Sequence, residues 1–231
     1  MTQVPVIAID GPSGSGKGTI ARRVAERLGW HLLDSGALYR LVALAGRRQG
    51  LAPDDVEGHA RAAEDLEVRF GMDARGEERI ELSGVDVTRE LRAESTGEAA
   101  SRVAAWAPVR AALIGRQRAF ARPPGLVADG RDMASIVFRD AGLKIFLTAS
   151  AEERARRRHK QLKEKGLSVS LAALSAEIAE RDRRDTTRAV APLVAVPEAV
   201  IVDSTALTIE EVVGRVIELA RERFPEAVRG R

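Results

Sequence analysis

The glycine-rich segment at residues 11–19 has the residue types and spacing of a phosphate-binding loop. Its sequence is GPSGSGKGT; it follows an apolar run at residues 6–9 and precedes a helical pattern that ends at Gly29. In such a loop the backbone N–H groups surround phosphate oxygens, the positive end of the helix dipole faces them, and the lysine reaches the outer phosphates. We therefore expect the nucleotide phosphates to be bound by Gly11, Pro12, Ser13, Gly14, Ser15, Gly16, Lys17, Gly18 and Thr19.

One position departs from the general form of this loop. The residue after Lys17 is Gly18, where the general motif has a serine or threonine whose hydroxyl binds Mg²⁺. A hydroxyl comes only one position later, at Thr19. We therefore expect no direct protein ligand for the metal, and a Mg²⁺ ion held mainly by the nucleotide phosphates and by water.

Polar residues follow nearly every apolar run that could form a strand. They are Asp10, Asp34 with Ser35, residues 129–132, and Asp203 with Ser204. Any one of them alone would be an ordinary turn. Ligands of parallel sheets bind at the carboxyl ends of the strands, so their repetition predicts a site at that edge.

Two arginine-rich segments in the second half of the chain leave two interpretations open. Arg181, Asp185 and Arg188 recur at spacings of four and three, which places them on one face of a helix or its extension. The segment at residues 154–160 is a basic helix. Each could be a solvated helix face with ion pairs; in a phosphoryl-transfer enzyme the basic helix would instead be a candidate lid over the nucleotide.

The elements that must position these residues follow from the hydrophobic pattern. Apolar runs predict strands at residues 6–9, 32–33, 126–128, 143–148 and 200–202. Helical patterns lie at 17–28, 36–48, 55–66, 151–165, 170–185 and 209–224, with two more between 93 and 121. This alternation predicts an α/β fold with a five-stranded parallel sheet covered by helices on both faces. Period-two alternation at 66–70, 78–82 and 85–87 predicts a small three-stranded antiparallel insert.

The composition excludes several kinds of chemistry. There is no cysteine, which removes disulfides, thiolate metal sites and cysteine nucleophiles and is compatible with a reducing cytoplasm. His31, His59 and His159 lack metal-ligand spacing and have no nucleophile partner. No apolar run approaches a membrane span, and the first strand begins too early for a signal peptide, so we expect a cytoplasmic protein.

The charge argues against a nucleic-acid partner. The formal net charge is +3, with acidic and basic residues interspersed, although 32 of the 37 basic residues are arginine. Arginine binds phosphate through two parallel hydrogen bonds, so its abundance suits a phosphate-binding protein.

Five segments together resemble the motif set of bacterial cytidylate kinases, in the P-loop nucleoside-monophosphate kinase superfamily. They are GPSGSGKGT, LDSGALYR at 33–40, VADGRDM at 127–133, RDRRDTTRAVAPL at 181–193 and DSTALTIEEV at 203–212. They occur in the family's order, and the resemblance covers residues 4–217. The GKGT ending is the form seen in monophosphate kinases. One departure is Met133-Ala134-Ser135, where the family usually has Met-Gly-Thr.

The resemblance implies a role for each matching position. Lys17, Arg131, Arg181 and Arg188 would be catalytic, acting on the phosphoryl group in transfer. The acceptor nucleotide would be bound by Ser35, Arg40, Ser101, Arg110, Asp132 and Asp185, of which Asp185 binds the ribose and Ser101, Arg110 and Asp132 read the base. Arg154, Arg157 and Arg158 would belong to the lid over ATP.

The resemblance also implies the reaction and the organisation of the chain. The γ-phosphoryl group of ATP, with Mg²⁺, would pass to CMP or dCMP, giving ADP and CDP or dCDP. We expect a monomer with one kinase domain, whose core lies at about 1–34, 123–150 and 198–231. The monophosphate-binding region would span about 35–122, with the insert at 66–88, and the lid about 151–190.

Other functions remain as alternatives at this point. Another P-loop kinase, acting on a different nucleotide or on a small hydroxyl compound, would share the loop. A GTPase switch would need a guanine-reading Asn-Lys-x-Asp motif, which the sequence lacks. A nucleic-acid-binding protein is supported only by the number of basic residues.

Overall fold

The computed structural model describes residues 4–73, 75, 78–164, 166 and 168–228. The chain forms two compact units. The first is built from the chain up to Asp34 and from Arg118 onward, and the second spans Ser35–Gln117. The predicted division into a core, a monophosphate-binding region and a lid remains a prediction.

The first unit contains a five-stranded parallel sheet. Its strands are β1 (Val6–Asp10), β2 (His31–Asp34), β6 (Leu126–Gly130), β7 (Leu143–Thr148) and β8 (Val200–Asp203). Their order across the sheet is β2-β6-β1-β7-β8, and all four pairings are parallel. The predicted sheet is confirmed, and the strand β7 has the predicted bounds.

The central strand β1 and its neighbour β6 show why the sequence specifies this sheet. Every residue of β1 and β6 is buried, so both faces of the sheet are covered, as expected for parallel strands that read as continuous apolar runs. On one face the core is formed with helices α1 (Lys17–Leu28) and α9 (Ile209–Arg223). Ile20 and Val24 of α1 pack in one cluster with Val213 and Val216 of α9.

The remaining helices of the first unit are α7 (Ala151–Glu164), α8 (Leu171–Thr187) and α10 (Pro225–Val228). The Ser150 hydroxyl accepts from Glu153 N at 3.2 Å and the Ser170 hydroxyl from Ala173 N at 3.1 Å, so a serine side chain caps the N-terminus of α7 and another caps that of α8. The predicted end of the first helix at residue 165 lies outside the described residues. Helix α8 extends two residues beyond its predicted end.

Two elements of the first unit were not predicted, the short helix α10 and a turn that follows β6. Met133–Val137 forms a π-helical turn, in which the Asp132 carbonyl accepts from the N–H groups of Ile136 and Val137 at 2.9 and 3.1 Å. A single turn of this kind has no repeating hydrophobic pattern from which it could be recognised, and π turns are frequent at functional sites. It begins directly after Arg131 and Asp132.

The second unit combines helices with the antiparallel insert. Its elements are α2 (Ser35–Arg48), α3 (Val56–Glu64), β3 (Val68–Met72), β4 (Glu78–Leu82), β5 (Val85–Asp86), α4 (Thr88–Leu91), α5 (Glu94–Val103) and α6 (Ala107–Arg118). The three-stranded sheet has the order β3-β4-β5 and is antiparallel, as predicted. The short helix α4 was not predicted, and part of the predicted turn between β3 and β4 lies outside the described residues.

None of the helices in the described ranges is long and apolar enough to cross a membrane.

Candidate functional site: a phosphate loop beside an arginine cluster

The glycines of the loop are required by its backbone path. Gly14 and Gly16 have φ values of 78° and 90°, in the left-handed region that favours glycine, and Gly16 directly precedes the first residue of α1. A Cβ on Gly11 would stand 2.0 Å from the carbonyl oxygen of Leu147 on β7. The loop therefore lies tightly against the end of the sheet, at the N-terminus of α1.

Lys17 is buried at the first position of α1. Its Nζ donates to the Pro12 carbonyl at 3.1 Å, across the loop. Burial lowers the pKa of Lys17, the positive charges of Arg131 and Arg181 lower it further, and Asp129 opposes the shift. The cations around Lys17 thus repel one another, and bound phosphates would relieve that repulsion.

Asp129 at the end of β6 lies beside Gly18. Its Oδ2 would be 3.1 Å from a Cβ on that glycine, so the carboxylate borders the place where the general motif has its metal-binding hydroxyl. Its Oδ1 is buried without a hydrogen-bond partner among the described residues. Burial raises the pKa of Asp129, and Lys17 opposes the shift.

Asp10 at the end of β1 holds the π turn. Its two carboxylate oxygens accept the N–H groups of Met133 and Ala134, each at 2.8 Å. Burial raises its pKa from the ordinary 3.8 to about 6, against the lowering effect of these two bonds. The Ala134-Ser135 departure thus falls in a turn that is fixed through its backbone.

The sequence places Asp10 and Asp129 among the polar residues that follow strands, but it assigns neither of them a role of its own. The end of β8 behaves differently. Asp203 is exposed and accepts from its neighbour Thr205, whereas Ser204 donates to the loop carbonyl of Ser15 at 3.2 Å.

Arg131 and Asp185 form the central ion pair of the arginine cluster. Arg131 Nε donates to Asp185 Oδ2 at 2.9 Å, which joins the end of β6 to α8. Burial raises the pKa of Asp185, but Arg131, Arg181 and Arg188 outweigh burial and hold it below its ordinary value. This carboxylate is therefore ionised at neutral pH and surrounded by three guanidinium groups.

Arg188 lies where the chain leaves α8. Its backbone is extended, with φ −60° and ψ 138°, so Arg181 and Asp185 share the helix and Arg188 follows in its extension. Arg188 Nη2 lies 3.9 Å from Asp132 Oδ1, and its Nε donates to the Ala191 carbonyl. The side chain is 7% exposed, which excludes the solvated-face interpretation for this residue.

The basic helix α7 is only partly a solvated face. Arg156 and Lys160 are exposed and Arg158 is partly buried, but Arg154 is buried. Arg154 donates to the loop carbonyl of Ser13 at 3.0 Å, and Arg157 to that of Ser15 at 3.3 Å. Contact of Arg154, Arg157 and Arg158 with ATP remains a prediction.

Four of the candidate residues belong to the second unit. Ser35 is buried at the start of α2, and Arg40 Nη1 donates to the Leu91 carbonyl at 3.0 Å. Arg110 Nη1 donates to the Ala104 carbonyl at 2.9 Å, and its guanidinium lies 5.6 Å from the Tyr39 ring centre. Ser101 Oγ is buried without a hydrogen-bond partner in the part of the chain that the structure describes.

No cluster of three or more potential metal-ligating side chains occurs among the described residues. The first unit brings together the side chains predicted to be catalytic and three carboxylates. They are Lys17, Arg131, Arg181 and Arg188, with Asp129, Asp132 and Asp185. A phosphate loop on an α/β sheet, adjoined by a cluster of arginines, defines the protein as a P-loop kinase.

The comparisons with known proteins identify the branch. The cytidylate kinase family model matches residues 7–222. Cytidylate kinases of Stutzerimonas stutzeri, Chromobacterium violaceum and a Marinomonas species are 57, 56 and 55% identical. The matches cover 95, 95 and 92% of this chain and 96, 97 and 94% of the relatives. The chain belongs to the cytidylate kinase family, so the predicted family and the kinase class are confirmed.

Among solved structures, a gluconokinase from Sinorhizobium meliloti matches over 100% of both chains with a TM-score of 0.47 and 18% identity. The assignment rests on the family model and the sequence relatives.

Proposed function

We propose that this chain transfers the γ-phosphoryl group of ATP to CMP or dCMP, giving ADP and CDP or dCDP. The observation that carries the chemistry is the cluster of Lys17, Arg131, Arg181 and Arg188, which adjoins the phosphate loop and contains no nucleophile with a neighbouring base. Membership of the cytidylate kinase family supports cytidine nucleotides as the acceptor.

The loop and Lys17 bind the donor. Backbone N–H groups of residues 11–19, apart from Pro12, which has none, surround the β- and γ-phosphates at the positive end of α1. The phosphates return the pKa of Lys17 toward its ordinary value, because their negative charge offsets both its burial and the neighbouring arginines. Lys17 then neutralises the group in transfer.

Arg131, Arg181 and Arg188 act on the charge that both nucleotides bring. The acceptor is a phosphate monoester that is already anionic near neutral pH, so transfer needs no general base. It needs neutralisation of charge and in-line positioning of the acceptor oxygen. Asp185 keeps Arg131 in place before the acceptor binds, and it is the residue we assign to the ribose hydroxyls.

The residues present fit a Mg²⁺ ion that arrives with ATP. The buried Oδ1 of Asp129 lacks a partner among the described residues, and it stands beside Gly18, where the general motif has its metal-binding hydroxyl. Asp129 would therefore accept from water bound to the ion, while the phosphates supply most of its ligands. When bound, the ion neutralises phosphate charge and helps to hold the γ-phosphoryl group in line.

The proposed base readers match the polar groups of cytosine. Asp132 accepts from the N4 amino group, and Arg110 donates to N3 or O2, with the buried Ser101 hydroxyl available for a further bond. Uracil presents O4 and an N3–H instead, and would leave buried groups unpaired. Ser35 and Arg40 are assigned to the acceptor phosphate.

Location and assembly complete the proposal. We assign the protein to the cytoplasm as a monomer that acts without a nucleic-acid or membrane partner. The absence of cysteine supports the cytoplasm, and the nearly balanced charge of +3 argues against a nucleic-acid partner. The monomer is what the resemblance to cytidylate kinases implies.

An acceptor panel tests the function. ATP with Mg²⁺ is offered with CMP, dCMP, UMP, AMP and a small hydroxyl compound such as a sugar acid, and ADP formation is followed. CMP and dCMP are expected to turn over fastest, and Lys17→Ala should abolish turnover with every acceptor. Faster turnover of another nucleotide or of the hydroxyl compound would contradict the proposal.

A further inference from the structure

Arg154 has more polar contacts than a lid residue that waits for a nucleotide would need. Its side chain is 7% exposed. Nε donates to the Ala149 carbonyl at 3.1 Å, Nη1 donates to the Ser13 carbonyl at 3.0 Å, and Nη2 pairs with Asp182 Oδ2 at 2.6 Å. All three nitrogens of the guanidinium are therefore bonded to protein groups.

The contact with Ser13 supports the phosphate loop. A loop that turns its N–H groups toward a ligand must find other partners for its carbonyl oxygens. Arg154 serves Ser13, and the Ser15 carbonyl accepts from Arg157 at 3.3 Å and from the Ser204 hydroxyl at 3.2 Å. Gly14 lies close to the same helix, since a Cβ on it would be 3.2 Å from Arg154 Cβ.

The contact with Asp182 connects this loop to α8. Asp182 is the residue after Arg181 and lies one turn before Asp185, which binds Arg131. A continuous chain of polar contacts thus runs from the phosphate loop through Arg154 and Asp182 to the helix that carries Arg181 and Asp185. The Arg154–Asp182 contact is a short hydrogen bond between two charged groups, and the Arg154 side chain is buried. Charge-assisted hydrogen bonds of this kind are stronger than neutral ones.

We infer that Arg154 is a positioning residue, which with Asp182 sets the distance between the phosphate loop and the arginines of α8. It acts through these elements and does not touch the nucleotide. The inference rests on the proposed function, because the geometry that it fixes is that of the donor phosphate relative to Arg181 and Asp185. In-line transfer depends steeply on such placement, whereas ground-state binding depends on it less.

Five variants test this inference by steady-state kinetics with ATP and CMP. They are Arg154→Gln, Arg154→Lys, Asp182→Asn, the double variant of Arg154→Gln with Asp182→Asn, and Arg156→Gln as a control. Arg156 lies on the same helix, is 69% exposed and pairs with Glu153 on its own helix, with no bond to the phosphate loop described above. We expect Arg154→Gln and Asp182→Asn each to lower kcat about tenfold with KM values within about threefold, and the double variant to be no more than about twofold worse. Arg156→Gln should match the wild type, and Arg154→Lys should restore little because a single ammonium cannot reach three partners.

Several results would overturn the inference. One is a raised KM for ATP in Arg154→Gln with unaltered kinetics in Asp182→Asn, which would mean that Arg154 touches the nucleotide. Multiplicative effects in the double variant, or wild-type kcat in both single variants, would also reject it. If Arg154→Gln does not fold, Asp182→Asn alone decides by the same criterion of lowered kcat with little change in KM.

Amide hydrogen exchange of residues 11–16 separates this inference from the proposed function. In the contacts described here, Asp182 reaches the loop only through Arg154. Faster exchange of these amides in Asp182→Asn would therefore support the link from Asp182 through Arg154 to the loop. This result does not depend on which acceptor the enzyme uses. Unchanged exchange in Asp182→Asn overturns the link. Failure of the wild type to phosphorylate CMP would instead reject the proposed function.

Discussion

Arg131 and Asp185 are 54 residues apart in the sequence, and their side chains meet at 2.9 Å in the first unit. Arg131 follows the end of β6, and Asp185 lies in the last turn of α8. The pair therefore ties an arginine assigned to the phosphoryl group to the carboxylate assigned to the ribose. We infer that the two roles are linked, because Asp185 would bind the ribose with the same carboxylate that orients Arg131.

The first prediction concerns this pair. Asp185→Asn keeps the shape of the side chain but removes the charge that holds Arg131, so kcat should fall by about tenfold even with CMP saturating. Glu180→Gln on the same helix is the control, because Glu180 is half-exposed and pairs with Arg183 and Arg184. Steady-state kinetics decide the point: equal kcat in Asp185→Asn and the control would show that Arg131 needs no charged partner.

Arg188 gives a sharper test of transition-state stabilisation. Arg188→Ala should lower kcat by about 100-fold with both nucleotides saturating, because one cation that faces the transferring charge is lost. Arg183→Ala is a matched control in the same segment, since Arg183 is 64% exposed and pairs with Glu180. An Arg188→Ala variant that turned over like the control would remove Arg188 from the catalytic set.

Asp132 is predicted to select the base. Asp132→Ala should narrow the preference for CMP over UMP, measured as the ratio of kcat/KM values, by about tenfold, because the acceptor for the N4 amino group is removed. Asp203→Ala, which changes an exposed acid at the end of β8, should leave the ratio alone. An unchanged ratio in Asp132→Ala would mean that other groups read the base.

The sequence was sufficient for the sheet and for the loop because both are encoded locally. The apolar run before residue 11 and the glycines that follow fix a strand and a left-handed path within a few residues. The partners of the arginines are different. Arg131 with Asp185, and Arg154 with Ser13 and Asp182, join segments far apart in the chain, and no periodicity records such pairs. The resemblance to cytidylate kinases implies that Arg154 is a lid residue, whereas the packed structure shows that all three of its guanidinium nitrogens are bonded to protein groups.

Asp129 is expected to control the metal requirement. Asp129→Asn removes the negative charge beside Gly18, so the Mg²⁺ concentration for half-maximal turnover should rise several-fold, on the order of fivefold, at fixed ATP. A Mg²⁺ titration of kinase activity measures this, with Asp203→Asn as the control carboxylate. The same half-maximal concentration in both variants would exclude Asp129 from the neighbourhood of the ion.

The buried carboxyl of Asp10 is expected to make the free energy of unfolding depend on pH. Its pKa in the folded protein is raised by burial from 3.8 to about 6, so folding favours the protonated carboxyl. Its contribution to stability is complete below about pH 3.8 and is lost as the pH rises through about 6. The free energy of unfolding of the wild type minus that of Asp10→Asn should therefore fall by roughly 1 kcal/mol between pH 5 and pH 7. Urea unfolding of both proteins at several pH values measures this difference, in which other titrating groups cancel. A difference that does not change with pH would mean that Asp10 keeps its ordinary pKa, held by the N–H groups of Met133 and Ala134 more strongly than burial opposes its charge.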